Sequence, residues 1–365
     1  MILRAALGAL ALVAATGCAP HDLRDTAPTP GAPAASDSFA QALYTSGFTG
    51  EAVVSRRPGD LSSVSIGRAA RDEADNPERW PWASMTKQVL AVLAMQQVEA
   101  DTLDLDAPAD RYLPELASKV PSPTIRQLLQ HRSGLANPDD SPPDATGFPS
   151  FYSDGQTGLD WCLADRSAPS DQWRYNNCDY IVLGAILENV TGEPIEALLE
   201  KRIATPSGWR DTGLLRAGSA RDFAGRDPAY TTRIARYGTS AALVGPLADM
   251  LRFDRALMAG RLIGPEARAA MWQGDPQLGY MALGQWVFDA QLEGCDAPVR
   301  IVERRGAIGK YQVRNIILPK RDMALALATA DGELDFGEIW TGSGALHDAL
   351  AALACNAIAS PATPR

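Results

Sequence analysis

The stretch that most constrains this chain is Pro81-Trp82-Ala83-Ser84-Met85-Thr86-Lys87, which feeds directly into Val89, Leu90, Val92, Leu93, Met95 and Val98. Apolar residues at that spacing predict a largely buried helix, with Ser84 in its first turn and Lys87 one turn on. Helical residues three apart share a face, so the hydroxyl and the amine come within reach of each other. A serine is a poor nucleophile until a base takes its proton, and a lysine in dry surroundings is neutral enough to be that base. Ser84 and Lys87 are therefore a candidate nucleophile and base. The plainer alternative makes Ser84 a helix cap and Lys87 an ordinary charge. Against it stands the helix dipole, because structural preference places Asp or Glu, not a cation, in a first turn.

A length of 365 residues and 46% hydrophobic composition suffice for one large domain or two closely packed lobes. The net charge of -10 argues against nucleic acid as a partner, since that demands clustered Lys and Arg. Met1 to Arg4, an apolar run to Ala15 and then Gly17-Cys18 read as an export signal over residues 1–18, too short to span a bilayer. Ala15-Thr16-Gly17-Cys18 is similar to the lipobox of bacterial lipoproteins, which implies a lipid anchor on Cys18. An ordinary cleaved signal peptide is the alternative. Residues 19–39, rich in Pro, Ala, Asp and Ser, read as a flexible tether. The expected location is the periplasmic side of a bacterial cell envelope. Export leaves Cys162, Cys178, Cys295 and Cys355 in an oxidising compartment, where three pairings are open. Proximity favours Cys162 with Cys178 and Cys295 with Cys355. With no Cys-x-x-Cys and only dispersed histidines, neither a metal nor a cofactor is expected.

Along the chain, Ala40 to Tyr44 reads as a short helix, and Glu51 to Ser55 with Ser62 to Gly67 as a hairpin around Pro58-Gly59-Asp60. Thr124 to Gln130 reads as a helix that Gly134 could cap. Tyr180 to Leu199 reads as two helices broken at Thr191-Gly192-Glu193-Pro194, and Leu247 to Ala259 as another. Tyr280 to Phe288, Tyr311 to Leu318 and Met323 to Thr329 read as strands, followed by a last helix from Gly344 to Ile358. Strands at both ends with helices between them imply one sheet built from both ends and an inserted, mainly helical lobe. The expected domain covers 40–358, with an α/β lobe at about 40–110 and 236–358 and a helical lobe at about 111–235. The cleft between the lobes is the place to look for chemistry.

Three stretches, in order, resemble the penicillin-recognising serine hydrolases, in particular class C β-lactamases and their esterase and D-peptidase relatives. They are Ser84-Met85-Thr86-Lys87, Tyr175-Asn176-Asn177 and Arg304-Arg305-Gly306, with similar flanks such as Thr124 to Leu135 and Tyr180 to Gly192. The ordered set is far more specific than any one motif, and it covers about residues 40–350. The resemblance implies a β-lactamase-like α/β (α+β) fold, an antiparallel sheet flanked by helices with an inserted mainly helical lobe. It implies catalysis by Ser84, Lys87 and Tyr175 through an acyl-enzyme, with the backbone N–H groups of Ser84 and Ala307 receiving the oxyanion beside Gly306, and Asn177 holding a substrate amide. Without it, Tyr175 reads as a core tyrosine and Asn177 as a turn asparagine.

Two departures bear on substrate. Lys310 stands where the family often has glycine, and Arg304 stands where lysine or histidine is usual. Arginine keeps the charge but cannot lose a proton, so Arg304 suits a substrate carboxylate and not a base. Its alternative is a salt-bridge network with Glu303 and Arg305. His131 suggests a Ser-His-Asp triad, yet no Gly-x-Ser-x-Gly elbow exists, and bracing a helix end is its expected role. His21 and His347 are poorly placed for catalysis. The expectation is an exported serine hydrolase for an ester, amide or β-lactam bond in a small molecule or peptide, most like an esterase or D-peptidase. A non-catalytic envelope-binding lipoprotein with the same fold is the alternative.

Overall fold

The computed structural model describes residues 37–67, 79–153, 158–216 and 228–355. The signal segment with Cys18, His21, nearly all of the tether and positions 356–358 of the expected last helix lie outside the described residues.

Among the described residues, nine strands run in chain order as β1 Gly50–Ser55, β2 Ser62–Ile66, β3 Trp80–Pro81, β4 Gly213–Leu214, β5 Leu243–Gly245, β6 Trp286–Ala290, β7 Val299–Ile308, β8 Tyr311–Leu318 and β9 Met323–Thr329. Six form an antiparallel sheet in the order β2-β1-β9-β8-β7-β6, and β3-β5-β4 form a small second sheet. The early and late parts of the chain meet where β1 pairs with β9, Val53 opposite Ala326. Alternation along β9 sets the two faces. Met323, Leu325 and Leu327 face a core that includes Phe39 and Leu43 of the Ser38–Thr45 helix and Leu346 and Leu350 of the Ala345–Ala354 helix. Ala324, Ala326 and Ala328 face the other core, where their short side chains let the Leu247–Met258 helix approach β9.

The Thr86–Glu99 helix runs through this second core. Of its 14 residues, 11 are buried, so it is wrapped on all sides and not laid on a surface. It packs against the Cys178–Thr191 helix, which in turn holds the Ile125–Leu129 and Leu159–Ala164 helices. Cys162 is bonded to Cys178 with Cα atoms 5.4 Å apart, tying the last of these to the residue after Asn177. Closing a loop of this size contributes about 3 kcal/mol in the chain-entropy account. Cys295 is bonded to Cys355, with Cα atoms 4.8 Å apart.

Several elements differ from the sequence expectation. The first helix starts at Ser38, where the Asp37 side chain accepts from Ala40 N at 3.1 Å, so ordered structure begins before residue 40. Ser84 sits in a separate 3-10 turn, Ala83–Met85, ahead of the α-helix. The strand expected from Tyr280 begins only at Trp286, because Tyr280 (φ 66°) and Gly284 (φ 85°) adopt left-handed conformations that fold 280–285 into a turn. Gly134 does not cap the Ile125–Leu129 helix. The left-handed residue after that helix is His131 (φ 59°), while at Gly134 a Cβ would fall 2.5 Å from Ser167 O. The small second sheet was invisible because two- and three-residue strands carry no period.

Candidate active site

The nucleophile turn is held from three sides. Pro81 pairs with Val244, Trp82 N donates to Leu243 O at 2.8 Å, and Trp82 Nε1 donates to Gly245 O at 3.1 Å. Ala83 then takes φ 47°, a left-handed conformation unusual for alanine, and this reversal presents Ser84 before the helix begins. On the opposite side β7 passes so close that a Cβ on Gly306 would lie 2.6 Å from Trp82 O and 3.1 Å from Ser84 N. Only glycine fits there, and the fit brings the 306–307 backbone alongside the Ser84 amide. The β6 ladder stops at Trp286 opposite Glu303, whereas β7 continues to Ile308. Exposed Ala307 thus lies on the part of β7 that β6 does not cover.

Lys87 is fully buried, and its Nζ lies 3.1 Å from Ser84 Oγ and 2.7 Å from Tyr175 Oη. Tyr175 Oη and Ser84 Oγ are also hydrogen-bonded to each other. Two further partners of Nζ can only accept from it, Asn177 Oδ1 at 2.6 Å and Ser240 O at 2.9 Å. A neutral amine has two N–H donors and one lone pair. Donating to Asn177 and Ser240 leaves the lone pair of a neutral amine facing the two hydroxyls, one of which can donate to it while the other donates to its neighbour. Burial depresses the Lys87 pKa well below the ordinary lysine range, and the nearby Arg304 cation lowers it further. Burial conversely raises the Tyr175 pKa, with Arg304 pulling it back. Both shifts favour the uncharged forms, a neutral amine and a phenol, in mutual contact with the serine hydroxyl.

Asn177 is 3% exposed, and both ends of its amide are engaged. Its Nδ2 donates to Asp139 Oδ1 at 3.1 Å and to Tyr152 Oη at 3.0 Å, while Oδ1 takes Lys87. In this arrangement it orients Lys87 rather than presenting a free amide to substrate, the role expected of it. His131 belongs to the support behind Tyr175, their ring centroids 4.7 Å apart. Its Nδ1 accepts from Asn176 N at 3.3 Å and lies 3.0 Å from Asp179 Oδ2. Burial lowers the His131 pKa and raises that of Asp179, and a neutral pair with the proton on Asp179 fits both contacts. Ser133 Oγ donates to the other Asp179 oxygen.

Arg304 lies on the Ser84 side of β7, 1% exposed, with Nε donating to Ser84 O at 3.0 Å. Its Cζ is 5.9 Å from the Tyr175 ring centroid and 5.0 Å from that of Trp286. Nη1 and Nη2 make no hydrogen bond of good geometry among the described residues, although the Tyr175 hydroxyl interacts with the guanidinium. The salt-bridge network weighed for Arg304 belongs to its neighbour, as Arg305 pairs with Glu303 at 3.0 Å and Glu338 at 2.6 Å. Sequence reasoning missed Ser240, Asp139 and Trp286. Ser240 acts through its carbonyl, which any residue could supply, and Asp139 and Trp286 reach the site only through tertiary folding.

A family model described as Beta-lactamase matches residues 43–341, and the chain belongs to that family. Among curated relatives, esterase EstB of Burkholderia gladioli is 32% identical over 206 residues, 50% of this chain and 51% of that protein. The D-alanyl-D-alanine-carboxypeptidase/endopeptidase AmpH of Escherichia coli K12 is 28% identical over 183 residues, 47% of this chain and 46% of that protein. The chain thus spans about half the length of the curated relatives it matches. The D-amino acid amidase of Ochrobactrum anthropi SV3, complexed with L-phenylalanine, superposes with TM-score 0.68 at 19% identity, covering 87% of this chain and 96% of that one. At that identity the superposition establishes the β-lactamase-like fold.

Proposed function

We propose that this chain is a serine hydrolase that forms an acyl-enzyme on Ser84, with esters, amides or D-peptides as substrates and β-lactams as a further candidate. One observation carries the reading: a dry amine, Lys87 Nζ, in contact with both the Ser84 and Tyr175 hydroxyls while its N–H donors are occupied elsewhere. Ser84 Oγ attacks the carbonyl carbon, and its proton passes to Lys87 directly or through Tyr175. The N–H groups of Ser84 and Ala307 receive the oxyanion. Collapse releases the alcohol or amine, which takes the proton back, and water then cleaves the acyl-enzyme. The names of the esterase, carboxypeptidase and amidase relatives support this range of substrates. Incubation of the protein with a fluorescent penicillin, short-chain esters and D-peptides, beside Ser84→Ala, tests it. Turnover or covalent labelling that Ser84→Ala abolishes is the expected result, and activity that survives in the variant removes Ser84 from the mechanism.

The same proposal places the enzyme in a bacterial envelope, held on the periplasmic side by a lipid on Cys18. The apolar run ending in Gly17-Cys18 and the Pro-rich, Ala-rich segment after it support this. Cys18→Ser is then expected to move the protein from the membrane to the soluble fraction. Unchanged fractionation, with no lipid on the N-terminal peptide by mass spectrometry, contradicts the anchor.

A further inference from the structure

Five large apolar side chains are exposed among the described residues, and three of them, Trp173 (39%), Tyr280 (44%) and Trp340 (47%), lie on one aromatic strip beside Ser84. The Trp173 ring centroid is 6.5 Å from Tyr175 and 6.3 Å from Trp286. Trp286 in turn covers the Arg304 guanidinium, whose Nε holds the Ser84 carbonyl. Beyond Trp286, the Arg305 guanidinium sits 5.3 Å from that ring and 4.9 Å from Trp340. Phe288, two residues along β6, lies 5.4 Å from Trp340 and 6.3 Å from Tyr280. Scattered apolar residues on a surface need no explanation, but a contiguous set does.

Two features make the strip a built surface. Arg305 is pinned by Glu338 through both terminal nitrogens, at 2.7 and 2.6 Å, so it braces the flanking rings in place. Its charge is balanced by Glu338 and Glu303, which leaves the indole faces, not a cation, as what a ligand meets. Flat, rigid rings bind another ring better than a flexible alkyl chain of similar size, because stacking adds to area burial and little rotamer freedom is lost.

We infer that Trp173 and Trp286 form a subsite for an aromatic ring carried by the substrate, extended outward by Trp340. The inference rests on the serine-hydrolase reading for its orientation, since the strip's inner end is one side chain from Ser84. The occupant is therefore part of the molecule being cleaved. The ring could sit on the acyl or on the leaving side, and the substrates chosen below separate the two.

The test compares kcat/KM for ethyl phenylacetate, with an acyl ring, and benzyl acetate, with a leaving-group ring, against ethyl acetate. It uses the full-length protein, Trp173→Ala, Trp286→Ala, and as control Tyr44→Ala, another exposed aromatic, on the Ser38–Thr45 helix. At least one aromatic ester is expected to be preferred, and that preference to fall about tenfold in both tryptophan variants, the scale of one lost aromatic contact. Tyr44→Ala keeps it. In parallel, 4-nitrobenzyl alcohol is titrated into Ser84→Ala, which cannot be acylated. Saturable quenching of tryptophan fluorescence, lost in Ser84→Ala/Trp173→Ala, is expected. Unchanged ester ratios in Trp173→Ala and Trp286→Ala, or quenching in Ser84→Ala that never saturates, overturn the subsite. Saturable quenching with no ester turnover in the native protein keeps the subsite and sinks the serine-hydrolase reading.

Discussion

Lys87→Met is expected to slow acylation of Ser84 by about 10²–10⁴-fold, the range ascribed to a positioned general base. Methionine roughly fills the volume of lysine without its amine, so the loss reports chemistry and not a cavity. In the native protein the amine must be neutral to act, and burial with Arg304 nearby moves its pKa well below the lysine norm. Acylation therefore rises with pH through that depressed pKa and reaches its plateau before the ordinary lysine range. The same shift bears on stability with a definite sign. Between the folded and unfolded pKa values the unfolded chain binds one more proton, so stability increases with pH across that window. Removing the amine removes this burden, and Lys87→Met is expected to melt at or above the native temperature near neutral pH. Labelling by a serine-directed phosphonate at several pH values, beside a melting curve, checks both. Undiminished labelling of Lys87→Met takes lysine out of the mechanism.

Much of this site could be read before any coordinates, for a physical reason. Ser84 and Lys87 are three residues apart, so local geometry alone puts them together, and the apolar run after them announces that the surroundings are dry. The long strands β8 and β9 were similarly legible, because Tyr311 to Arg314 alternate and Met323 to Ala328 are a short continuous apolar run that begins just after the turn residues Pro319 to Asp322. What failed to show depended on long-range folding or on backbone atoms. The left-handed Ala83, the carbonyl of Ser240 and the Asp139 anchor for Asn177 leave no mark in composition or spacing. His131 was read as a helix brace. Its ring does more, filling the space behind Tyr175 and pairing with Asp179. Arg304 was legible as an oddity, but only the structure separates it from Arg305 by placing the two on opposite faces of β7.

That separation sets up the second large effect, in Arg304→Met. A buried guanidinium whose two terminal nitrogens make no hydrogen bond of good geometry is costly, since each unsatisfied donor carries a desolvation penalty of about 1–3 kcal/mol or more when charged. Replacing a buried charge with an apolar side chain of similar volume is often neutral or stabilising. Arg304→Met is thus expected to retain or raise the melting temperature, despite losing the Nε bond to the Ser84 carbonyl. A cost kept in the free protein points to a use in the complex. We propose that Nη1 and Nη2 receive a carboxylate of the substrate through paired charge-assisted bonds, for which the planar fork of arginine is suited. The expected loss is about 1.5–3 kcal/mol in kcat/KM for carboxylate-bearing substrates, the scale of a hydrogen bond to a charged group. One confounding effect has a known sign. Arg304 also helps to depress the Lys87 pKa, so removing it moves the acylation limb to higher pH for every substrate. The comparison therefore belongs on the plateau of each variant's pH profile, where Lys87 is neutral throughout. There, a neutral ester should be turned over nearly as before while the carboxylate substrate loses the full amount. Equal losses on both substrates would mean that Arg304 acts only through Lys87 and the Ser84 turn.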